Sequence, residues 1–155
     1  MKTITLTIWL FSLLSPLCNA QSNAANASPM QAIYNMFDAM REHNKEKFLQ
    51  QFTKDALLQR INNQGEIKNA DIEEFAQVIQ LSDKHLDERL FSVTVQKNNK
   101  LASVWAPFIF YLDGSISHCG HNSFQLVKIN QQWKIQYLID SAYAGNCETF
   151  KDTLL

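Results

Sequence analysis

The sequence predicts an α+β domain in which helices come first and a long antiparallel sheet follows. Apolar residues recur at helical spacing in three segments before about residue 81, with one small hairpin between the second and third, and the spacing changes to two from His85 onward. The second half also carries a strong hairpin signal, Asp113-Gly114, between two long alternating runs. Helices gathered before such a meander cover one face of the sheet, and a bent sheet closed over by helices forms a cone with a cavity.

Ser28 followed by Pro29 is a helix start, and Ile33, Met36, Phe37 and Met40 then fall on one helical face. Asn44 caps a second, shorter helix that carries Phe48, Leu49 and Phe52. Asp55 to Ile61 and Glu66 to Lys68, separated by Asn62-Asn63-Gln64-Gly65, read as a small hairpin. Asp71 with Glu74 forms an aspartate version of the capping box, opening a third helix that runs to about Leu81 with Ile72, Phe75, Ala76 and Ile79 inward. Phe91 to Val95 alternates as a strand and Asn98-Asn99 turns the chain. Three long strands follow, with turns at Asp113-Gly114 and around Asn130-Gln131-Gln132. Pro107 within the first of them implies a bulge or bend, because it removes one ladder donor.

Residues 1–20 read as a signal peptide: Lys2, the apolar run Ile8 to Leu14, and the small-residue site Cys18-Asn19-Ala20. The apolar run is far shorter than the roughly 20 residues a spanning helix needs, so no stable membrane insertion is expected after cleavage. Residues 21–28 form a flexible leader, 29–150 a single domain and 151–155 a C-terminal tail. The expected location is periplasmic or secreted. The 14 basic and 15 acidic residues are scattered without a basic stripe, which argues against nucleic acid as a partner. Cleavage leaves two cysteines, Cys119 and Cys147; in an oxidising compartment they are expected to pair, the alternative being two buried thiols.

The order of elements, with Val104-Trp105-Ala106-Pro107-Phe108, Ser117-His118-Cys119-Gly120, Phe124-Gln125-Leu126-Val127 and Trp133-Lys134-Ile135, resembles the nuclear transport factor 2-like superfamily. It is most similar there to small exported proteins labelled SnoaL-like or lumazine-binding. The resemblance covers residues 29 to 147. It implies a curved antiparallel sheet packed against three N-terminal helices, a cystatin-like roll around a cone-shaped pocket. The superfamily hosts isomerases, cyclases, dehydratases and noncatalytic carriers, and fold alone does not choose among them. Such proteins tend to carry Asp-Thr-Arg-Arg before a cysteine, whereas this chain has Asp140-Ser141-Ala142-Tyr143-Ala144-Gly145-Asn146-Cys147. Any role of those arginines is therefore missing here.

A two-residue turn at Asp113-Gly114 sets Ile109 opposite His118, gathering Trp105, Ile109, Tyr111, Ile116, His118, Asn122 and Phe124 on one face. Phe108, Phe110, Cys119 and His121 fall on the other. A turn at Asn130-Gln131 then sets Phe124 against Tyr137, His118 against Tyr143 and His121 against Asp140. His118 is the preferred pocket residue, as a polar group among aromatics or as a base. Its alternative is a histidine hydrogen-bonded within the core. Asp140 is a second candidate base, and Arg60 a candidate for an anionic group at the pocket mouth. The candidate catalytic pair is thus His118 and Asp140, and the candidate ligand-binding set is Trp105, Tyr111, His118, Asn122, Tyr137, Tyr143 and Arg60.

No glycine-rich phosphate loop, Gly-x-Ser-x-Gly elbow, His-Glu-x-x-His or paired Cys-x-x-Cys occurs, and no metal or cofactor is expected. Three functions remain. The first is an exported binding domain with an apolar and aromatic pocket for a small molecule. The second is a cofactor-independent proton-transfer enzyme, an isomerase, cyclase or dehydratase. The third is an interaction module, dimeric through an outer sheet face carrying Phe108 and Phe110; a homodimer is expected.

Overall fold

The Ser28 hydroxyl accepts a hydrogen bond from the Gln31 N–H at 3.1 Å and Pro29 takes the first helical position, so the first helix begins where the sequence places it. The computed structural model describes residues 27–62 and 64–154. The signal peptide and most of the leader lie outside the described residues. Helix α1 (Pro29–Arg41) buries Ile33, Met36, Phe37 and Met40. Helix α2 (Lys45–Leu49) is capped by Asn44 through the Lys47 N–H, and α3 (Ile72–Leu81) by Asp71 through the Glu74 N–H. Phe48 of α2 packs on Phe52 and Phe75 at ring separations of 5.1 and 5.8 Å. Burying rings such as Phe48 and Phe52 contributes roughly 1.5–3 kcal/mol each, and the contact with the partly exposed Phe75 ties α2 to α3.

Seven strands form one curved, unclosed sheet: β1 (Phe52–Ile61), β2 (Ile67–Ala70), β3 (Leu86–Leu90), β4 (Thr94–Lys97), β5 (Leu101–Leu112), β6 (Ser115–Ile129) and β7 (Gln132–Ala142). Their order is β2-β1-β7-β6-β5-β3, with β4 also paired to β5. All pairings are antiparallel except that of β1 with β7, which makes the sheet mixed rather than purely antiparallel. The inner face, with Ala102, Val104, Ala106, Phe124 and Leu126, packs on the helices; Phe37 meets Phe124 edge-on at 6.5 Å.

The strand expected over Phe91 to Val95 is instead two short strands, β3 and β4, separated at Phe91–Val93, where Ser92 has a φ of 43°. The expected disturbance at Pro107 lies in this neighbour rather than in β5 itself. The Pro107 carbonyl accepts from Phe91 N–H at 2.8 Å. In an antiparallel pair a residue's N–H and C=O face the same neighbour. The donor that Pro107 lacks therefore faces the gap between β3 and β4, and its pairing with His121 of β6 is undisturbed.

Both long hairpins turn where expected. Asp113 and Gly114 have φ of 51° and 80°, and Asn130 and Gln131 have 49° and 65°, as a two-residue turn with both centres left-handed requires. Each hairpin nevertheless contains a bulge. Phe110 pairs with His118 while Tyr111 pairs with Ile116, leaving Ser117 as the extra residue; Gln125 pairs with Tyr137 while Leu126 pairs with Ile135, leaving Gln136. A one-residue slip moves every later side chain to the opposite partner set. The outer face carries Ile109, Cys119 and Phe150, bridged by a Cys119–Cys147 disulfide with a Cα separation of 5.6 Å. The stretch expected as a tail forms a 3₁₀ turn, Phe150–Leu154, with Phe150 fully buried. Among the described residues no helix is long and apolar enough to cross a membrane.

Candidate functional site

Because of the Ser117 bulge, His118 shares the inner face with Phe108, Phe110, Asn122 and Phe124, not with Trp105 and Tyr111. Its ring lies 5.7 Å from Phe108, edge-on, and 5.0 Å from Phe110. The second bulge replaces the expected pairing of His121 with Asp140: Asp140 lies opposite Asn122, and His121 opposite Ser141. On its other side Asp140 pairs with Arg60 of β1. The Arg60 guanidinium donates from Nε and Nη2 to the two Asp140 carboxylate oxygens, both at 2.7 Å.

Arg60, Phe108, His118, Asp140 and Ala142 line a cavity of about 160 Å³. It reaches solvent beside Arg60, whose side chain is 55% exposed, while that of Asp140 is 12% exposed. In the pairing register Gly120 lies at the centre of this ring, with Phe108 on one side and Ala142 on the other. A Cβ at Gly120 would stand 2.0 Å from the Ser141 carbonyl oxygen. The absence of a side chain between His118 and Asn122 is thus a condition both of the close β6–β7 approach and of the open space.

One buried carboxyl that the sequence reading does not single out is that of Glu88. It lies on edge strand β3, and its Oε1 accepts from the Asn122 amide at 2.6 Å, reaching across β5, where Asn122 is faced only by the short Ala106. Leu86 and Leu90, two residues either side, pack against the inner core. Glu88 is only partly covered as a whole residue, but its carboxyl is desolvated. Burial pushes it up to about 8; the Asn122 hydrogen bond and Arg60 pull the other way, and the charges of Asp140 and Asp87 add to the rise. Its neighbour Asp87 behaves oppositely. Burial raises it, but hydrogen bonds and charge from Arg89 and Arg41 outweigh that and hold it below the ordinary carboxylate value.

The His118 imidazole is held below its ordinary value, first by burial and then by the Arg60 charge, with Asp140 opposing. Arg60 is raised, chiefly by its hydrogen bond to Asp140. At neutral pH the inner face therefore presents an uncharged imidazole, a protonated carboxyl at Glu88 and an internally neutralised Arg60–Asp140 pair.

The structure brings His118, Asp140 and Arg60 together around one cavity, with Asn122 adjoining as the register partner of Asp140, and sets the other candidates elsewhere. Trp105, 49% exposed on the outer face, stacks on His121 at 5.1 Å. Tyr111 lies under the Arg89 guanidinium at 4.4 Å. Tyr137 donates its hydroxyl to Gln59 at 2.7 Å, and Tyr143 packs on Phe150 at 4.9 Å. Phe108 and Phe110, expected as an outer contact, belong to the inner side instead; Phe108 is 1% exposed. Two larger clefts, about 580 Å³ between β1 and the start of α3 and about 670 Å³ beside the Asn98 and Asn130 turns, contain no histidine.

No family model matches this chain, and no curated protein matches it. Solved structures do. A proposed scytalone dehydratase from Novosphingobium aromaticivorans is similar over 74% of this chain and 80% of its own, with 11% identity and a TM-score of 0.63. A proposed dehydratase of the nuclear transport factor 2-like family from Streptomyces avermitilis matches 74% of this chain and 92% of its own, at 12% identity and a TM-score of 0.60. A protein of unknown function with a cystatin-like fold from Nostoc punctiforme matches 77% and 91%, at 17% identity and a TM-score of 0.60. The fold is thus nuclear transport factor 2-like and cystatin-like, as the sequence resemblance implies.

Proposed function

We propose that this chain binds a small molecule in its cone and moves a proton on it without a cofactor, as an isomerase or dehydratase does. The observation that carries the reading is the opposite displacement of two titratable groups on one inner face. Glu88 keeps its proton at neutral pH and His118 has lost one. Environments that push an acid and a base apart in this way assign their roles. His118, on the cavity wall, takes the proton from the bound molecule; Glu88 stands off that wall, tied to Asn122 on the same face, and is proposed as the acid that returns a proton through this polar contact. Asp140 spends both carboxylate oxygens on Arg60, so it orients the pair rather than acting as the base. Two of the similar folds are described as dehydratases, which supports the class and not a substrate. The disulfide supports a location where thiols are oxidised, in line with the expected export.

The test is deuterium uptake. Full-length protein is incubated in D₂O with ketones of one to three rings, and loss of the proton beside the carbonyl is followed by NMR. The expected result is exchange with at least one ketone above buffer, falling about 10²-fold in His118→Gln and in Glu88→Gln. Bound ketone without exchange leaves a carrier and sinks the catalytic reading.

A further inference from the structure

We propose that the molecule this cone takes is an uncharged single six-membered ring bearing a carbonyl or hydroxyl group. The inference rests on the binding reading above and is carried by the size and chemistry of the cavity. An apolar cavity of about 150 Å³ accommodates a benzene-sized ring, and larger ligands occupy pockets of roughly 300–1,000 Å³. The space lined by Arg60, Phe108, His118, Asp140 and Ala142, open to solvent beside Arg60, is about 160 Å³. Expansion is resisted on two sides. Phe108 is 1% exposed and fixed in β5, and Gly120 beneath the cavity already brings the β7 backbone as close as a missing Cβ permits.

Charge selects the occupant further. The one cation on the wall, Arg60, donates two hydrogen bonds to Asp140, so the charges of the pair cancel: an anion meets the Asp140 carboxylate beside the guanidinium, a cation meets the guanidinium, and neither gains a net opposite charge. What remains to recognise a ligand is a ring edge or face from Phe108 and one imidazole nitrogen, which donates or accepts according to the tautomer, Nδ1 already meeting the Ser117 hydroxyl at 3.2 Å. A neutral ring with one oxygen function satisfies both. A wholly apolar ring would leave the second His118 ring nitrogen unpartnered, because Ser117 serves only Nδ1.

Ligand-observed NMR on the full chain with cyclohexenone, benzoate and tetralone tests this. The expected result is that cyclohexenone binds at least about tenfold more tightly than benzoate or tetralone. Ala142→Phe, which fills the cavity from an exposed position, is expected to weaken cyclohexenone by about tenfold or more while leaving the melting temperature near that of the parent. Tetralone or benzoate binding as tightly as cyclohexenone, binding unchanged in Ala142→Phe, or no cyclohexenone binding at all would each overturn the proposal. Cyclohexenone that binds but takes up no deuterium keeps the ligand class and removes the catalytic function.

Discussion

The Glu88 carboxyl and the Asn122 amide, 34 residues apart, meet at 2.6 Å on the inner face of the sheet. This contact joins the edge strand to the strand carrying His118, and it holds a carboxyl that burial pushes up to about 8 within electrostatic reach of Asp140, Arg60 and Asp87. Because the folded state holds that proton more tightly than the unfolded chain, the stabilisation is complete below the ordinary glutamate value and is lost as pH rises through about 8. Melting between pH 5 and 9 is expected to show a decline of roughly 2–4 kcal/mol. Glu88→Gln is expected to flatten it; an unchanged slope in the variant would locate the titration elsewhere.

His118 has the opposite sign. Its lowered value means that protonation opposes folding, so its cost appears as pH falls below the ordinary histidine value of about 6.5 and vanishes above it. With the proposed activity, the rate is expected to form a bell: an acid limb from His118, below pH 6.5, and a basic limb near 8 from Glu88. A pH–rate profile that rises monotonically to pH 9 would contradict the assignment of Glu88 as the acid.

Gly120→Ala puts a carbon 2.0 Å from the Ser141 carbonyl oxygen, a backbone atom at the end of the paired β6–β7 ladder that yields only if the strands part. A loss of about 3 kcal/mol or more is expected in urea titration. Gly114→Ala, whose added carbon meets nothing but whose φ is 80°, is expected to cost about 1 kcal/mol.

Breaking the disulfide with Cys147→Ser removes a link across 28 residues and is expected to cost roughly 3 kcal/mol on chain entropy alone. Phe150, fully buried beside Ile109 and Cys119, is held by the same strap, so its neighbourhood should gain hydrogen exchange first. Exchange spread evenly over the sheet would show that the bridge acts on the whole fold instead.

Arg60→Ala leaves the Asp140 carboxylate, 12% exposed, without its partner. A cost of about 1–2 kcal/mol is expected, small because Arg60 itself is half in solvent. Asp140→Asn in the same background should recover part of it, and a double-mutant cycle without coupling would deny the pair any energetic role.

The helices, both long turns and the disulfide were legible because each is signalled within a few residues: Ser28-Pro29, Asp71 with Glu74, Asp113-Gly114, and two remaining cysteines. The bulges at Ser117 and Gln136 were not. An extra residue on one strand changes no local composition, yet it decides which side chains share a face. That is why the sequence alone groups His118 with Trp105 and Tyr111 and pairs His121 with Asp140, where the structure sets His118 beside Phe108 and Phe110 and Asp140 opposite Asn122. Glu88 was hidden differently, since Leu86-Asp87-Glu88-Arg89-Leu90 looks like a solvated charged run. The one usable signal is alternation: Leu86, Glu88 and Leu90 share a face, so a carboxyl there is as buried as the leucines beside it.

Pro107 has a consequence for the chain's behaviour among its own copies. An interrupted edge exposes backbone that a second molecule can pair with, and unpaired edges are where sheets begin to aggregate. Opposite the gap between β3 and β4, Pro107 offers no N–H, and its carbonyl is already taken by Phe91. A strand approaching there finds neither donor nor acceptor, so the weakest point of the sheet's edge is closed to templating by a single imino acid.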